Sequence, residues 1–358
     1  QAYCLEAGNL YFRFFKDQGT ILEANKTISG ITKANPGVVT ATGHGFSNGD
    51  VVFISSVVGM TEVNGKYFNI SNKTTNTFEL EDIDGTDVNT SGFTTYSSGG
   101  TAARVYQITT TYATADLFQL QYAQTADVMY IAHPSYPPRK LSRTGHTAWT
   151  IEDVAFKDGP YLDDNITTTT LTPSGATGSI TIAASAVTGI NGGSGFISSD
   201  VGRLLRIGHH ATAWASGTAY AVGNVRRNSG NVYECIKAGT SAGSGGPSDE
   251  GDNIVDNGAT WKFLDDGGVA YGNATITAIN STTNVDATVN KAFGGTSAET
   301  DWRLGAFSGT TGYPSAVAFF EQRLFFAGTS RKQFLAANQV TLKTLRQARW
   351  IQALSQTA

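Results

Sequence analysis

Between Asp127 and Trp149 the side chains alternate: Val128, Tyr130 and Ala132 fall on one pleat face and Met129, Ile131 and His133 on the other. A period of two in β-forming residues predicts a strand. Pro134, Pro137 and Pro138 then stop the ladder, since proline has no N–H to donate. Arg139 to Leu141 starts a return strand, and Trp149 closes a unit that begins at Asp116. The pattern recurs from Gly312 to Gly328, where Ala316, Ala318 and Phe320 alternate ahead of Arg323–Ala327. Two similar hairpins separated by a long, differently composed segment predict blades of one β-propeller with domains inserted between them.

The intervening chain is also strand-like. Ala2–Leu5 and Leu10–Phe15 flank the turn Glu6–Asn9. Residues 31–105 alternate short strands (Val51–Ile54, Thr77–Leu80) with turns such as Ser47-Asn48-Gly49-Asp50 and the hairpin signal Asn64-Gly65. Ser179–Ala183 and Gly202–Ile207 begin a Thr/Ser/Gly-rich unit that Ala274–Ile279 and Val285–Val289 complete. Charged residues make up only 15% and glycines number 41, a turn-rich β composition, and at 358 residues the chain exceeds one ordinary domain, so two to four domains are expected. The fold class expected is all-β and multidomain: an incomplete β-propeller and sheet scaffold carrying an inserted small β-barrel and a carbohydrate-binding-module-like domain.

Two hairpin runs, ADVMYIAHPSYPPRKLSR and GYPSAVAFFEQRLFFAGT, closely resemble the tail hub, or nozzle, protein of short-tailed bacteriophages, also called tail tubular protein B. The N-terminal YCLEAGNLYFRFFKDQGTI fits the same family, and the resemblance covers residues 1–30, 105–168 and 300–330. It implies a virion structural protein, a homo-oligomeric ring in the virion tail that meets other phage tail proteins and conducts DNA in transient passage during ejection. Assembly in the bacterial host cytoplasm is expected, and Cys4 and Cys235, far apart, give no disulfide framework. A net charge of −4 and a pI near 5.7 argue against a dedicated DNA-binding domain, whereas a conduit wall of that charge lets the polymer slide. No signal-peptide pattern or long apolar run is present, so no membrane anchor is expected. The chain does not begin with Met and reads as a fragment or processed form.

Candidate chemistry is sparse. Residues 31–105 resemble a small β-barrel repeated in phage tail proteins and similar to one in ubiquitin-activating enzymes. Within it, His44 reads as a ligand or base, or as a histidine capping its turn. Asp82, Asp84 and Asp87 around Gly85 suggest a calcium loop, but the bidentate Glu at its end is missing. Tyr11, Phe12, Phe14 and Phe15 read either as a stacking platform for nucleic acid or as a sheet packed on both faces. Arg139, Lys140 and Arg143 are placed either to touch DNA or to pair with Glu152 and Asp153. His209 and His210 read as loop residues that cannot chelate one metal. The acidic pairs Glu152-Asp153, Asp163-Asp164, Asp249-Glu250 and Asp265-Asp266 sit in turns, and no GxSxG, HExxH, Walker or CxxC motif occurs. No enzyme, cofactor or metal site is therefore expected.

Residues 211–267 resemble the small chitin- and cellulose-binding modules of secreted glycosidases through Trp214, Tyr220, Gly223, Val225, Tyr233 and Trp261. The resemblance implies that Trp214, Tyr220 and Trp261 stack on sugar rings of a cell-surface glycan, the alternative being a spacer whose aromatics form its core. Arg226-Arg227 and the long loop Gly239–Pro247 depart from the family.

After Lys332 the pattern changes abruptly, and read in another frame the codons permit the continuation seen in the resembling family. Residues 333–358 thus read as a frameshifted tail that fails to join the second blade, apart from a short helix at Leu342–Ile351. That leaves Leu324–Ala327 as an unpaired edge, and the chain as written is not expected to form rings. The organisation expected is a scaffold at 1–30, the barrel at 31–105, a blade at 106–168 and a split domain at 169–210 and 268–305. The module at 211–267, a second blade at 306–332 and the tail at 333–358 complete it. The function expected is a tail hub subunit of a short-tailed phage or prophage; the alternative is a glycan-binding adhesin.

Overall fold

The computed structural model describes residues 2–321, 323–328 and the backbone of 334–337. The protein is all-β and multidomain, and among the described residues helix is confined to 3-10 turns such as Thr61–Val63 and Thr114–Gln119. No helix among them is long and apolar enough to cross a membrane. The chain divides into two compact units. One comprises Gln1–Leu120, Gln124–Met129 and Lys140–Glu152; the other comprises Gln121–Ala123, Tyr130–Arg139 and the chain from Asp153 onward.

In the first unit, Cys4–Gly8 and Gln107–Thr109 flank Tyr11–Lys16 in one antiparallel sheet. Alternation along YFRFFK buries Phe12 and Phe14 and leaves Tyr11, Arg13 and Phe15 half-buried. Phe14 stacks on Trp149 with ring centroids 4.0 Å apart, and Phe12 lies against Tyr112 at 5.9 Å. Phe12 and Phe14 are therefore core rings, not a platform for bases.

The barrel departs and returns through a hydrogen-bonded stem: the Glu23 N–H donates to the Arg104 carbonyl and the Tyr106 N–H to the Ile21 carbonyl, both at 2.8 Å. Its strands run in the spatial order Lys26–Thr27, Ser98–Arg104, Val51–Val58, Lys66–Ser71, Thr77–Glu81, Val38–Thr40, Gly30–Ile31. The first and last members are one continuous segment that changes neighbours midway. Ile28 N–H donates to Gly100 O at 2.9 Å, and Ser29 N–H donates to Thr40 O at 2.8 Å. This crossing links the two ends of the sheet through one continuous segment, so the sheet curls round on itself. Val39, Val52, Ile54, Phe68, Ile70, Phe78 and Leu80 fill the interior, each worth about 1.5–3 kcal/mol when fully buried. His44 is one of the interior groups: its Nδ1 accepts the Phe46 N–H at 2.9 Å, the turn-capping role. Asp82 Oδ1 accepts the N–H groups of Asp84 and Thr86 at 3.0 and 2.8 Å, so that carboxylate is used within its own turn.

In the second unit a six-stranded sheet runs Leu171–Pro173, Ser179–Ala184, Asn284–Lys291, Val269–Ser281, Leu204–His210, Trp302–Leu304. Leu205, Ile207, Ala274, Ile276, Val285 and Trp302 form its core. Its stem pairs Leu162 N–H with Leu304 O and Ala306 N–H with Pro160 O, each at 2.8 Å. Contrary to the loop expected, His209 and His210 end a strand, with His210 paired to Val269. The inserted module thus leaves and re-enters on adjacent strands. A Cβ on Gly208 would meet the Asp301 carboxylate and the Tyr271 ring, which would have to shift to admit it.

One ion pair in this unit is wholly buried. Arg203 Nη1 lies 2.8 Å from Asp200 Oδ1, and neither side chain reaches solvent. Arg203 Nε donates to the Gly305 carbonyl at 2.7 Å, and Asp200 also accepts from Asn191 Nδ2 at 2.6 Å and Thr310 Oγ1 at 2.8 Å. Burial lowers the guanidinium's affinity for its proton, and Asp200 opposes that loss. The pair ties the turns at 190–200 to the segment 305–310.

The hairpin Ala316–Phe320/Arg323–Ala327 buries Leu324 and Phe326 against Ala132 and Val154. Tyr313 N–H donates to Pro134 O at 3.0 Å. Two expectations are corrected. The return strand of the first hairpin spans Tyr136–Gly145 and runs through Pro137 and Pro138. Proline still offers its carbonyl: Pro138 O accepts the Val154 N–H at 2.8 Å. Leu324–Ala327 is not an open edge either, because Phe334–Ala337 pairs along it from Leu324↔Ala337 to Ala327↔Phe334. The rest of 333–358, including the helix expected at Leu342–Ile351, lies outside the described residues.

Asp200→Ala should leave Arg203 charged, buried and unpaired, and lower unfolding stability by about 3–5 kcal/mol in urea titration. A pH dependence follows from His209, whose Nε2 lies 3.1 Å from Ser297 O and whose pKa is lowered by burial, with the Ser297 carbonyl, Glu299 and Asp301 partly opposing. The unfolded chain takes up this proton near pH 6.5 and the folded chain only at lower pH, so the contribution is whole above about 6.5 and lost below it. The unfolding free energy from urea titration should fall with acidity at up to about 1.4 kcal/mol per pH unit in that window, and His209→Gln should flatten the slope.

Candidate functional site

The inserted module is a four-stranded antiparallel sheet in the order Val225–Asn228, Asn231–Lys237, Ala259–Asp265, Ile254–Asp256, with Ala219–Tyr220 paired to Gly239–Thr240 beside it. Ser229 and Gly230, both with positive φ, make the tight turn between the first two strands. Gly239 passes so close to Gly258 that a Cβ would meet its carbonyl.

Trp214, Tyr220 and Trp261 converge, but inward. Trp261 is fully buried and Tyr220 is 4% exposed, with the two rings edge-to-face at 4.9 Å. The Tyr220 hydroxyl accepts the Ala215 N–H at 2.8 Å and donates to the Ala215 carbonyl at 3.2 Å. Trp214 is half-buried against the same cluster, and the Gly/Ser loop folds onto it: a Cβ on Gly246 would lie 2.9 Å from the indole. Asn228 Nδ2 holds that loop by donating to the carbonyls of Gly245 and Pro247 at 2.8 and 3.0 Å. The expectation that these three rings present faces to a sugar is corrected for Tyr220 and Trp261, which a unit this small needs for its core.

What organises the rings is a residue the sequence did not single out. Asp256 is 4% exposed, and its Oδ2 accepts both indole N–H groups, from Trp214 at 2.8 Å and Trp261 at 2.9 Å. Its Oδ1 accepts the Ala242 N–H at 2.8 Å. Three donors on one carboxylate make a rigid centre in a unit with few apolar residues. In sequence Asp256 precedes Asn257-Gly258 and reads only as a turn residue.

The basic residues of the first hairpin are each paired. Arg139 lies 3.0 Å from Asp153, Lys140 3.5 Å from Glu152, and Arg143 2.6 Å from Asp127. The carboxylates are more than half exposed, so each pair is worth at most about 1 kcal/mol, yet each cancels a charge that phosphate would need. The second unit also holds a cavity of about 560 Å³ walled by Pro137, Phe156, Pro160, Phe307 and Tyr313. Its volume suits a small molecule, and its wall offers mainly apolar contact. Burial raises the Tyr313 pKa, and Asp153 adds to the rise.

Residues 34–106 match the family of the ubiquitin-activating enzyme E1 FCCH domain. The match covers the barrel from just after Lys26–Ile31, the segment that closes it. No curated protein matches the chain.

Trp261→Ala should remove a fully buried ring and the partner of Asp256, at about 3–5 kcal/mol. Near-ultraviolet circular dichroism and thermal melts of the full chain should register that loss. A variant that keeps its fold and loses only retention on chitin would instead restore the ring to a binding role.

Proposed function

We propose that the chain is a structural subunit of the tail hub, or nozzle, of a short-tailed bacteriophage or prophage, one copy in a homo-oligomeric ring through which DNA passes during ejection. One observation carries this reading. Segments that resemble the hub family are scattered along the sequence, and within each unit they come together as scaffold while the differing segments leave through stems. In the first unit Phe14, from the N-terminal run, stacks on Trp149 of the hairpin run although the barrel lies between them in sequence. In the second, Leu324 and Phe326 pack on Ala132 and Val154 across the split domain and its module. An architecture of hairpins with excursions is what blades with inserted domains require.

The charge fits a conduit. A net charge of −4, together with the ion-paired Arg139, Lys140 and Arg143, gives weak attraction for phosphate, so a moving duplex is not held. The expectation that the chain as written forms no rings rested on a frameshifted tail and a propeller left short; against it stands the pairing of Phe334–Ala337 along Leu324–Ala327, which covers the edge expected to be open. The partners in this reading are further copies, other tail proteins and transient DNA, in the virion tail after assembly in the host cytoplasm. The adhesin alternative has weaker support, since Tyr220 and Trp261 face inward.

Negative-stain electron microscopy of the purified full chain, and immunogold labelling of tails, should show rings and density at the distal tail end. Dispersed monomers that are retained on chitin or cell-wall glycan would replace this reading with the adhesin.

A further inference from the structure

Two sheet edges lack the usual protection against pairing. Among the described residues, nothing pairs with the outer side of Ala316–Phe320, which begins a sheet continued by Arg323–Ala327 and Phe334–Ala337. The outer side of Gln121–Thr125 is bare in the same way, in the sheet continued by Val128–His133, Tyr136–Gly145 and Ala148–Asp153. Bare edges offer a row of N–H and C=O groups to any strand that arrives, and proteins block them with charge, proline or a bulge.

Other edge strands of five residues or more carry such a block: Glu6 in Cys4–Gly8, and Glu152 and Asp153 in Ala148–Asp153. Ala316–Phe320 reads AVAFF, with no charge, no proline and an unbroken register to its neighbour. Phe319 is 37% and Phe320 64% exposed. Gln121–Thr125 reads QYAQT, equally without charge or proline, and Tyr122 is 68% exposed.

We propose that these edges join neighbouring copies of the chain, Gln121–Thr125 of one adding to Ala316–Phe320 of the next. The occupant is a second copy because the chain supplies its own complement: two unblocked edges of equal length, both uncharged, each with an exposed aromatic ring for cross-strand contact. The pairing is heterologous, so every copy added keeps one bare edge on either side until the assembly closes on itself. The inference deepens the proposed ring by naming the strands that touch, while the contact itself requires no phage.

The test uses the full chain with the exposed Cys4 replaced by Ser, Cys235 being buried. Chains carrying Tyr122→Cys and Phe319→Cys are mixed and treated with a short bismaleimide, which tolerates small shifts of register. Mixed cross-linked dimers are expected, with ladders of multimers when both substitutions sit in one chain. Ala318→Lys with Phe320→Lys, both on exposed positions, should return the chain to monomers in sedimentation velocity with an unchanged far-ultraviolet circular dichroism spectrum. A monomeric parent chain, cross-links only between like positions, or association unaffected by the lysines overturns the edge pairing. Rings seen by microscopy without the 122–319 cross-link sink this contact alone and leave the hub reading standing. A cross-linked assembly that never enters a tail supports the contact and sinks the hub.

Discussion

The architecture depends on one constraint: each excursion must leave and return through backbone groups that pair with each other. Ile21–Glu23 and Arg104–Tyr106 make the stem of the barrel, Pro160–Leu162 and Leu304–Ala306 that of the split domain, and His210 with Val269 that of the module. The physical reason is that a stem satisfies the donors and acceptors that an insertion would otherwise expose in the scaffold. The entropic penalty of a longer excursion is small, about 0.6 kcal/mol for each doubling of length. A scaffold with closed stems therefore tolerates modules of very different content. Here one is a barrel with an ample apolar interior, and another depends on a single carboxylate.

The barrel and the module solve the problem of a small core in opposite ways. The barrel links the two ends of its sheet through the crossing at Ile28 and Ser29 and fills with aliphatic and phenyl side chains. The module has few such side chains, and it concentrates its interior on rings held by hydrogen bonds to Asp256. Charge-assisted bonds of this kind fix direction as well as energy, which suits a unit whose apolar surface is limited.

Strand alternation made the fold class and both hairpins legible in the sequence, because a period of two is a local property. What escaped was set by distant neighbours. Lys26–Ile31 is six residues of ordinary polar and apolar character, and nothing in it announces a change of partner halfway along. His209 and His210 read as a break, yet they continue a strand because Val269–Ser281 pairs with them from the far side of the module. The prolines of the first hairpin lack a donor, yet the strand runs through them by using the carbonyl that Pro138 keeps. At the candidate site, residue type showed that Trp214, Tyr220 and Trp261 belong together. It could not show which way the rings face, since a ring that stacks on sugar and one that fills a core occupy the same place in a sequence.

The stems also decide how the protein responds to mechanical load. Where tension enters the scaffold on either side of an excursion, the paired backbone of the stem carries it from one flank to the other. The barrel and the module then lie off the line of force, and neither stretches until its stem unzips. Each stem is in this sense a fuse: its few hydrogen bonds open first and release slack into the chain while the domain beyond them stays folded.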